Sequence, residues 1–230
     1  MDGTVKTFLA QLYVDRGDID KAVPLASEAS RELRKLGDRP SLAQALIDLG
    51  NIRRLQGRYT EADASIQEGT DLYAQTQGSD HPNVAYGLIS LATSLYYQAR
   101  YDAAEKDTRR ALEIVEKKAA RTHSQETVSL TLGLILNKTG RARQAEPMLR
   151  ETLATVQKQS RRPLDLARAS AALGECLAMQ KQYAEAEPLL LQSFQIYKSV
   201  HVPQSPVLAE ARTRLTLLYT AWGKPSPIAN

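Results

Sequence analysis

Residues 46–66 read LIDLGNIRRLQGRYTEADASI, and their spacing decides the fold. A leucine precedes a small residue, Leu49-Gly50. A turn glycine, Gly57, follows seven positions later, a tyrosine, Tyr59, two after that, and an alanine, Ala62, closes the stretch. The small residue recurs as Ala10, Gly50, Ala92, Gly133, Gly174 and Thr216, at spacings of 40, 42, 41, 41 and 42. Each copy follows a leucine, and Ala22, Ala62, Ala104, Ala145 and Ala186 stand twelve positions after the first five. Gly17, Gly57, Gly140 and Gly223 fill the turn column in four copies, and Tyr59, Tyr101 and Tyr183 follow it in three. Several columns held in phase over five copies mark an internal repeat.

Leu42, Leu46, Leu49, Ile52 and Leu55 keep steps of three and four, which places them on one face of a helix. The turn comes next, and a second helix begins near Thr60 or Asp102, residue types that cap helix amino ends. Small residues at Gly50 and Ala62 let the two helices approach closely. Leu33, Tyr73, Val115, Val156 and Tyr197 share a later column that covers the next repeat. No such helix pair buries its apolar face alone, so neighbours must stack. The expectation is a single all-α domain over 1–230. Its helix-turn-helix repeats fall near 4–38, 42–78, 84–120, 126–160 and 166–200, with a capping helix over 207–223 and a tail over 224–230.

Leu-small, six residues, Gly-x-Tyr, two residues, Ala resembles the tetratricopeptide repeat. The length of about 41 residues, the stretch GSDHPNVAYGLISLA and the openings AEPML and AEPLL are similar to the long kinesin-light-chain type. The resemblance implies a right-handed α-α superhelix that binds a peptide or partner protein on its concave surface. The tail LYTAWGKP also resembles the end of repeat arrays that follow some bacterial serine/threonine kinase domains. That implies an alternative, a regulatory or assembly segment of a larger signalling protein. Two family features are missing. Kinesin-light-chain repeats carry paired asparagines before the Leu-small step, where this chain has Ile47-Asp48, Ile89-Ser90, Leu130-Thr131 and Ala171-Ala172. The Lys/Asn/Arg set that clamps a terminal carboxylate in chaperone-binding members is absent too.

Composition narrows the functional classes. Apolar residues make up 43%, charged residues 24%, and the net charge is +4, with basic and acidic residues interspersed. The most basic helix, 103–121, is diluted by Glu105, Asp107, Glu113 and Glu116, unlike the concentrated face of a nucleic-acid site. One cysteine, Cys176, sits in the core-like setting LGECLAM and cannot form an internal disulfide. No apolar run approaches a membrane span and no export signal opens the chain, so a cytoplasmic location is expected. The chain carries no phosphate loop, no H-E-x-x-H, no G-x-S-x-G and no kinase catalytic loop. His81, His123 and His201 each fall in a different inter-repeat connection, too far apart in a rigid stack to share a metal. Asp80-His81-Pro82 reads as helix punctuation, with Asp80 as a cap and Pro82 in the first turn. A non-catalytic protein without cofactor or metal is the expectation.

The first helix of each pair should line the groove. Helical projection assigns it Gln44, Ile47, Asn51 and Arg54, then Tyr86, Ile89, Thr93, Tyr96 and Tyr97, then Leu130, Leu134, Asn137 and Lys138, with Arg168 and Glu175 beyond. The contact set expected for a peptide is Asn51, Arg54, Tyr86, Thr93, Tyr96, Tyr97, Asn137, Lys138 and Arg168. Tyrosines beside amides and a few basic groups suit an extended or helical peptide with an acidic element.

Overall fold

A computed structural model describes residues 3–117, 123–159, 162–200 and 205–227. Among them the chain forms eleven helices and no strand: α1 (Gly3–Arg16), α2 (Ile19–Leu36), α3 (Arg39–Leu55), α4 (Tyr59–Gln77), α5 (Pro82–Tyr97), α6 (Tyr101–Glu116), α7 (His123–Lys138), α8 (Ala142–Gln159), α9 (Pro163–Met179), α10 (Tyr183–Val200) and α11 (Pro206–Trp222). They fall into two compact units, Met1–Val128 and Ser129–Asn230. In the first unit α1 packs on α2, α3 on α4 and α5 on α6, and α2 also packs on α3 and α4 on α5. In the second unit α9 packs between α8 and α10, and α10 packs on α11.

Each pair closes through the same turn. The residue seven after the small position is left-handed in all six copies: Gly17 (φ 84°), Gly57 (75°), Ala99 (57°), Gly140 (75°), Lys181 (63°) and Gly223 (70°). The next N–H reaches back across the turn, as in Arg58 N to Arg53 O at 3.0 Å, Arg100 N to Leu95 O at 2.9 Å and Gln182 N to Leu177 O at 2.9 Å. Asp18, Arg141 and Lys224 make the equivalent bonds. This six-to-one bond around a left-handed residue is a Schellman motif, and it satisfies a carbonyl that the helix end leaves open. Glycine enters the left-handed region without a Cβ penalty, whereas Ala99 and Lys181 bear one.

Inside each pair the small column sets the separation. A Cβ built on Gly50 would lie 2.8 Å from the Ala62 carbonyl oxygen and 2.5 Å from Ile66 Cγ1. Gly69 of α4 meets the Ala43 carbonyl oxygen at 2.6 Å in the same way. Both helices of the pair therefore approach backbone to backbone.

Between repeats a polar column recurs. Gln56, Gln98 and Gln180, six positions after the small residue, each donate to an acid on the preceding second helix. The partners are Asp20 at 3.5 Å, Asp63 at 2.9 Å and Glu146 at 2.8 Å. The first turns of α3, α5, α9 and α11 each contain a proline, where a missing N–H costs nothing.

Replacing Ala99 or Lys181 by glycine removes the left-handed penalty at a small entropic cost. Each change should stabilise the chain by about 0.5–1 kcal/mol, read as a rise in the urea unfolding midpoint. Gly50→Ala should destabilise the chain by about 1–3 kcal/mol, read as a lower midpoint, because the added methyl overlaps α4.

Candidate functional site

Within the first unit α1 touches α3 and α3 touches α5, whereas α2, α4 and α6 make no such mutual contact among the described residues. The first helices thus form the tighter layer, and one stripe along α3 and one along α5 face each other. On α3 that stripe is Gln44, Asp48 and Asn51; on α5 it is Tyr86, Ser90, Thr93 and Tyr97. The projection from sequence placed Ile47 and Ile89 on it, but both are buried. Ile47 lies against Gly69 of α4, so on α3 the partly exposed stripe runs one residue further round the helix, through Asp48.

A hydrogen-bonded rung joins the two helices. Tyr86 donates its hydroxyl to Asp48 Oδ1 at 3.0 Å, and Gln44 Nε2 donates to the same oxygen at 2.9 Å. Tyr73 of α4 donates to Gln44 Oε1 at 3.0 Å. About one turn further on, Asn51 Nδ2 donates to Ser90 Oγ at 3.2 Å. Burial pushes the Asp48 carboxyl above its ordinary range even though Tyr86 and Gln44 donate to it. Burial beside the Asp48 carboxylate also raises Tyr73, to about 12, and raises Tyr86 further. Both phenols therefore stay protonated as donors at neutral pH. The Asp48 hydrogen bonds converge on Oδ1, which leaves Oδ2 for a donor from outside.

The carboxyl end of the stripe is aromatic. The Arg54 guanidinium lies 5.3 Å from the centre of the Tyr97 ring. Tyr97 stands edge-on to Tyr96 at 5.4 Å, and Tyr96 meets Tyr101 at 5.7 Å. Tyr86 and Tyr97 are 41% and 47% exposed, so both rings offer a face to a ligand. Thr93 between them turns its hydroxyl back to the Ile89 carbonyl at 2.7 Å. Six of the nine expected contact residues, Asn51, Arg54, Tyr86, Thr93, Tyr96 and Tyr97, lie on α3 and α5, with Tyr96 turned towards Tyr101 of α6.

The other three lie in the second unit and behave differently. Asn137, expected on the groove, is instead fully buried and donates Nδ2 to the Ala172 carbonyl at 3.2 Å. Lys138 pairs with Glu175 at 2.7 Å, and Glu175 also pairs with Arg214 at 3.2 Å. Arg214 on the last helix is largely buried and further pairs with Glu210 at 2.7 Å. Arg168 is exposed on α9. Charges that look available in sequence are largely consumed by one another here.

The residues with apparent chemistry have structural tasks. His81 caps α5, its Nδ1 accepting the Asn83 N–H at 3.2 Å. Asp80 does not cap the helix. It pairs with Arg110 and, at 2.6 Å, with Lys117 of the following pair, and these cations hold its carboxyl below the usual range. His201 lies outside the described residues, and so does the His123 side chain. Cys176 is buried, donates to the Ala142 carbonyl at 3.1 Å, and burial raises its thiol to about 11. Among the described residues no three His, Cys, Asp or Glu side chains group as metal ligands, and no helix is long and apolar enough to cross a membrane. Asp48 is the partly exposed residue of this stripe that the groove projection passed over. The available signal was the four-residue step from Gln44 to Asp48, which keeps both on one helical stripe.

Comparison with known proteins agrees with this architecture. A tetratricopeptide-repeat family model matches residues 3–75, 41–117 and 165–228, more than half of the chain. No curated protein matches significantly. The kinesin-light-chain TPR-like repeats of Podosopora anserina superpose with a TM-score of 0.63 at 21% identity, over 87% of this chain and 96% of that one. BtubC (BKLC) from P. vanneervenii gives a TM-score of 0.68 at 20% identity, over 89% and 84%. A Rap protein complexed with Competence and Sporulation Factor gives 0.73 at 13% identity, over 94% of this chain and 65% of that one. At these identities the structures establish a shared fold, the all-α helical-repeat superhelix class. With the repeat model covering most of its length and the same left-handed turn closing every pair, the chain belongs to the tetratricopeptide repeat family.

Proposed function

We propose that the chain is a non-catalytic interaction scaffold whose first unit binds an extended peptide segment of a partner along α3 and α5. The observation that carries this reading is the stripe from Asp48 and Tyr86 to Arg54 and Tyr97, where two half-exposed tyrosine rings flank paired amide, hydroxyl and carboxylate groups. Ring faces supply contact area at low entropic cost, and the polar groups between them can exchange hydrogen bonds with a peptide backbone. The stripe carries an anion as well as a cation, so the matching peptide bears a basic group or N–H donor opposite Asp48 and an acidic element opposite Arg54. A Rap protein with the same fold was crystallised in complex with Competence and Sporulation Factor, which is consistent with such use of the fold. The test is a displayed library of random peptides selected against the chain. Binders should weaken about tenfold or more on Tyr97→Ala and on Asp48→Asn, as expected for losing a central ring or a charge-assisted bond. Binders indifferent to both changes would place the peptide elsewhere.

The second unit favours a different reading, a regulatory or assembly segment without a free-peptide site. Its first-helix face carries the closed ladder Lys138–Glu175–Arg214–Glu210. Burial alone would raise the Glu175 carboxyl, but Arg214 and Lys138 outweigh it and hold the group below the usual range. A carboxyl lowered in the folded state contributes stability that is complete above the ordinary carboxylate range and is lost as the pH falls through the folded value. Glu175→Gln should therefore cost roughly 1–3 kcal/mol at pH 7, with the deficit shrinking towards pH 3. Urea unfolding of both proteins at the two pH values measures it, and a deficit independent of pH would remove the ladder as its source.

A further inference from the structure

Most inward-turned carboxylates of the chain stand beside a cation. Glu175 meets Lys138 at 2.7 Å and Arg214 at 3.2 Å, and Asp165 meets Arg162 at 2.9 Å. Glu146 meets Arg150 at 2.8 Å and Asp63 meets Arg100 at 3.7 Å. Asp48 meets no Lys, Arg or His among the described residues, and its neighbours Gln44, Tyr73 and Tyr86 are uncharged. Burial therefore raises its carboxyl, whereas at a comparable depth Arg214 and Lys138 hold Glu175 low. Asp107 on α6 also lacks a cation partner, but it lies on a second helix, off the groove. The repeat does not require an acid at Asp48. Two residues before the small residue, the same column holds Ser90, Thr131 and Ala172, so neutral side chains satisfy the packing there. A buried charge without compensation costs stability, and at Asp48 that cost answers to no demand of the fold.

The bonds already made select the kind of cation. Tyr86 Oη at 3.0 Å and Gln44 Nε2 at 2.9 Å both donate to Oδ1. Tyr73 donates to Gln44 Oε1 at 3.0 Å, which fixes the amide with its nitrogen towards Asp48. Oδ2 accepts no bond among the described residues. A guanidinium pairs best with a carboxylate as a fork, with one N–H to each oxygen. Here the Oδ1 arm of that fork is taken by two donors. A primary ammonium is a compact point charge and needs only Oδ2. The Tyr86 ring beside it is 41% exposed and offers a face to the cation or to the methylenes that carry it.

We propose that Asp48, with one oxygen saturated by Tyr86 and Gln44, is a subsite for a primary ammonium of the bound segment and discriminates against arginine. The ammonium is carried by a lysine side chain or by the amino terminus of the segment. This rests on the peptide-binding reading of α3 and α5 and adds the ligand chemistry of one position. Tyr86 is then the specificity-determining residue, because its hydroxyl withholds the second acceptor that a guanidinium fork needs. A backbone N–H would satisfy Oδ2 but leave the buried charge uncompensated, so a charged donor is the better match.

The probes are Nα-acetyl-lysine N-methylamide, its arginine and norleucine counterparts, and norleucine N-methylamide with a free amino group. Each is titrated into the isotopically labelled full chain, and NMR shifts of the Gln44 and Asn51 side-chain amides report binding. One ammonium probe should bind at least about tenfold more tightly than acetylated norleucine, and several-fold more tightly than arginine. Whichever of the two prevails identifies the source of the ammonium. Asp48→Asn, in protein that keeps its helical circular dichroism, should reduce that probe to the norleucine level. Tyr86→Phe frees an acceptor position on Oδ1 and should narrow or reverse the preference over arginine, which a loss of packing alone would not do. Ammonium probes no better than acetylated norleucine, arginine bound as tightly as either, or a preference unchanged in Tyr86→Phe overturns the proposal. Library peptides that depend on Tyr97 but not on Asp48 overturn this subsite and leave the groove reading standing. Ammonium binding through Asp48 with no peptide selected on the groove does the reverse.

Discussion

The structure depends on how closely two helices of a pair can approach. At Gly50 the backbones come near enough that a single added methyl would press on the Ala62 carbonyl oxygen. That spacing sets which side chains of the first helix face its own partner, which face the preceding repeat and which remain for the groove. The turn serves the same constraint. A Schellman closure reverses the chain within two residues, and a longer loop would let the pair slide. The left-handed residue is kept even where the sequence offers alanine or lysine, which shows that the turn geometry is imposed by the packing it joins.

The repeat, the helix pairing and the identity of the core were legible in the sequence because they rest on columns. A column repeated five or six times averages out the local choices that obscure a single helix. Gln56, Gln98 and Gln180 show the limit of that method. They form a column with a clear task, yet Asp20 stands two before its alanine, whereas Asp63 and Glu146 stand one after theirs. A side chain as long as glutamine reaches an acid one turn away in either direction, so the pairing is conserved in space while it shifts in sequence.

The groove was legible only to within one residue. Ile47 and Asp48 differ by 100° around the helix, and the apolar character of Ile47 suits either a core or a peptide surface. The deciding fact is the contact with Gly69, which belongs to α4 and is invisible to any projection of α3 alone. Asn137 failed for a related reason. Its amide is polar enough to suggest a surface, but a carbonyl at Ala172, one repeat away, lies within reach of Nδ2 and holds it inside. Polar groups on repeat proteins find partners in the next repeat as readily as in solvent, and composition does not distinguish the two.

That ambiguity bears on where binding belongs. Opposite charges on neighbouring first helices neutralise one another, as Lys138, Glu175, Arg214 and Glu210 do, and a ligand approaching them must displace bonds already made. On α3 and α5 the bonds run mainly between neutral groups: Tyr86, Gln44, Asn51 and Ser90 orient one another and converge on a single oxygen of Asp48. Such a rung is held in place before a ligand arrives. The second carboxylate oxygen of Asp48 accepts none of these bonds, and Tyr86 and Tyr97 stay 41% and 47% exposed. A peptide of the proposed kind would gain contacts there without first breaking an ion pair, and preorganised groups of this kind lose little further freedom on binding. The same fold therefore yields two surfaces of opposite character, and the difference comes from whether adjacent first helices carry complementary charges or complementary dipoles.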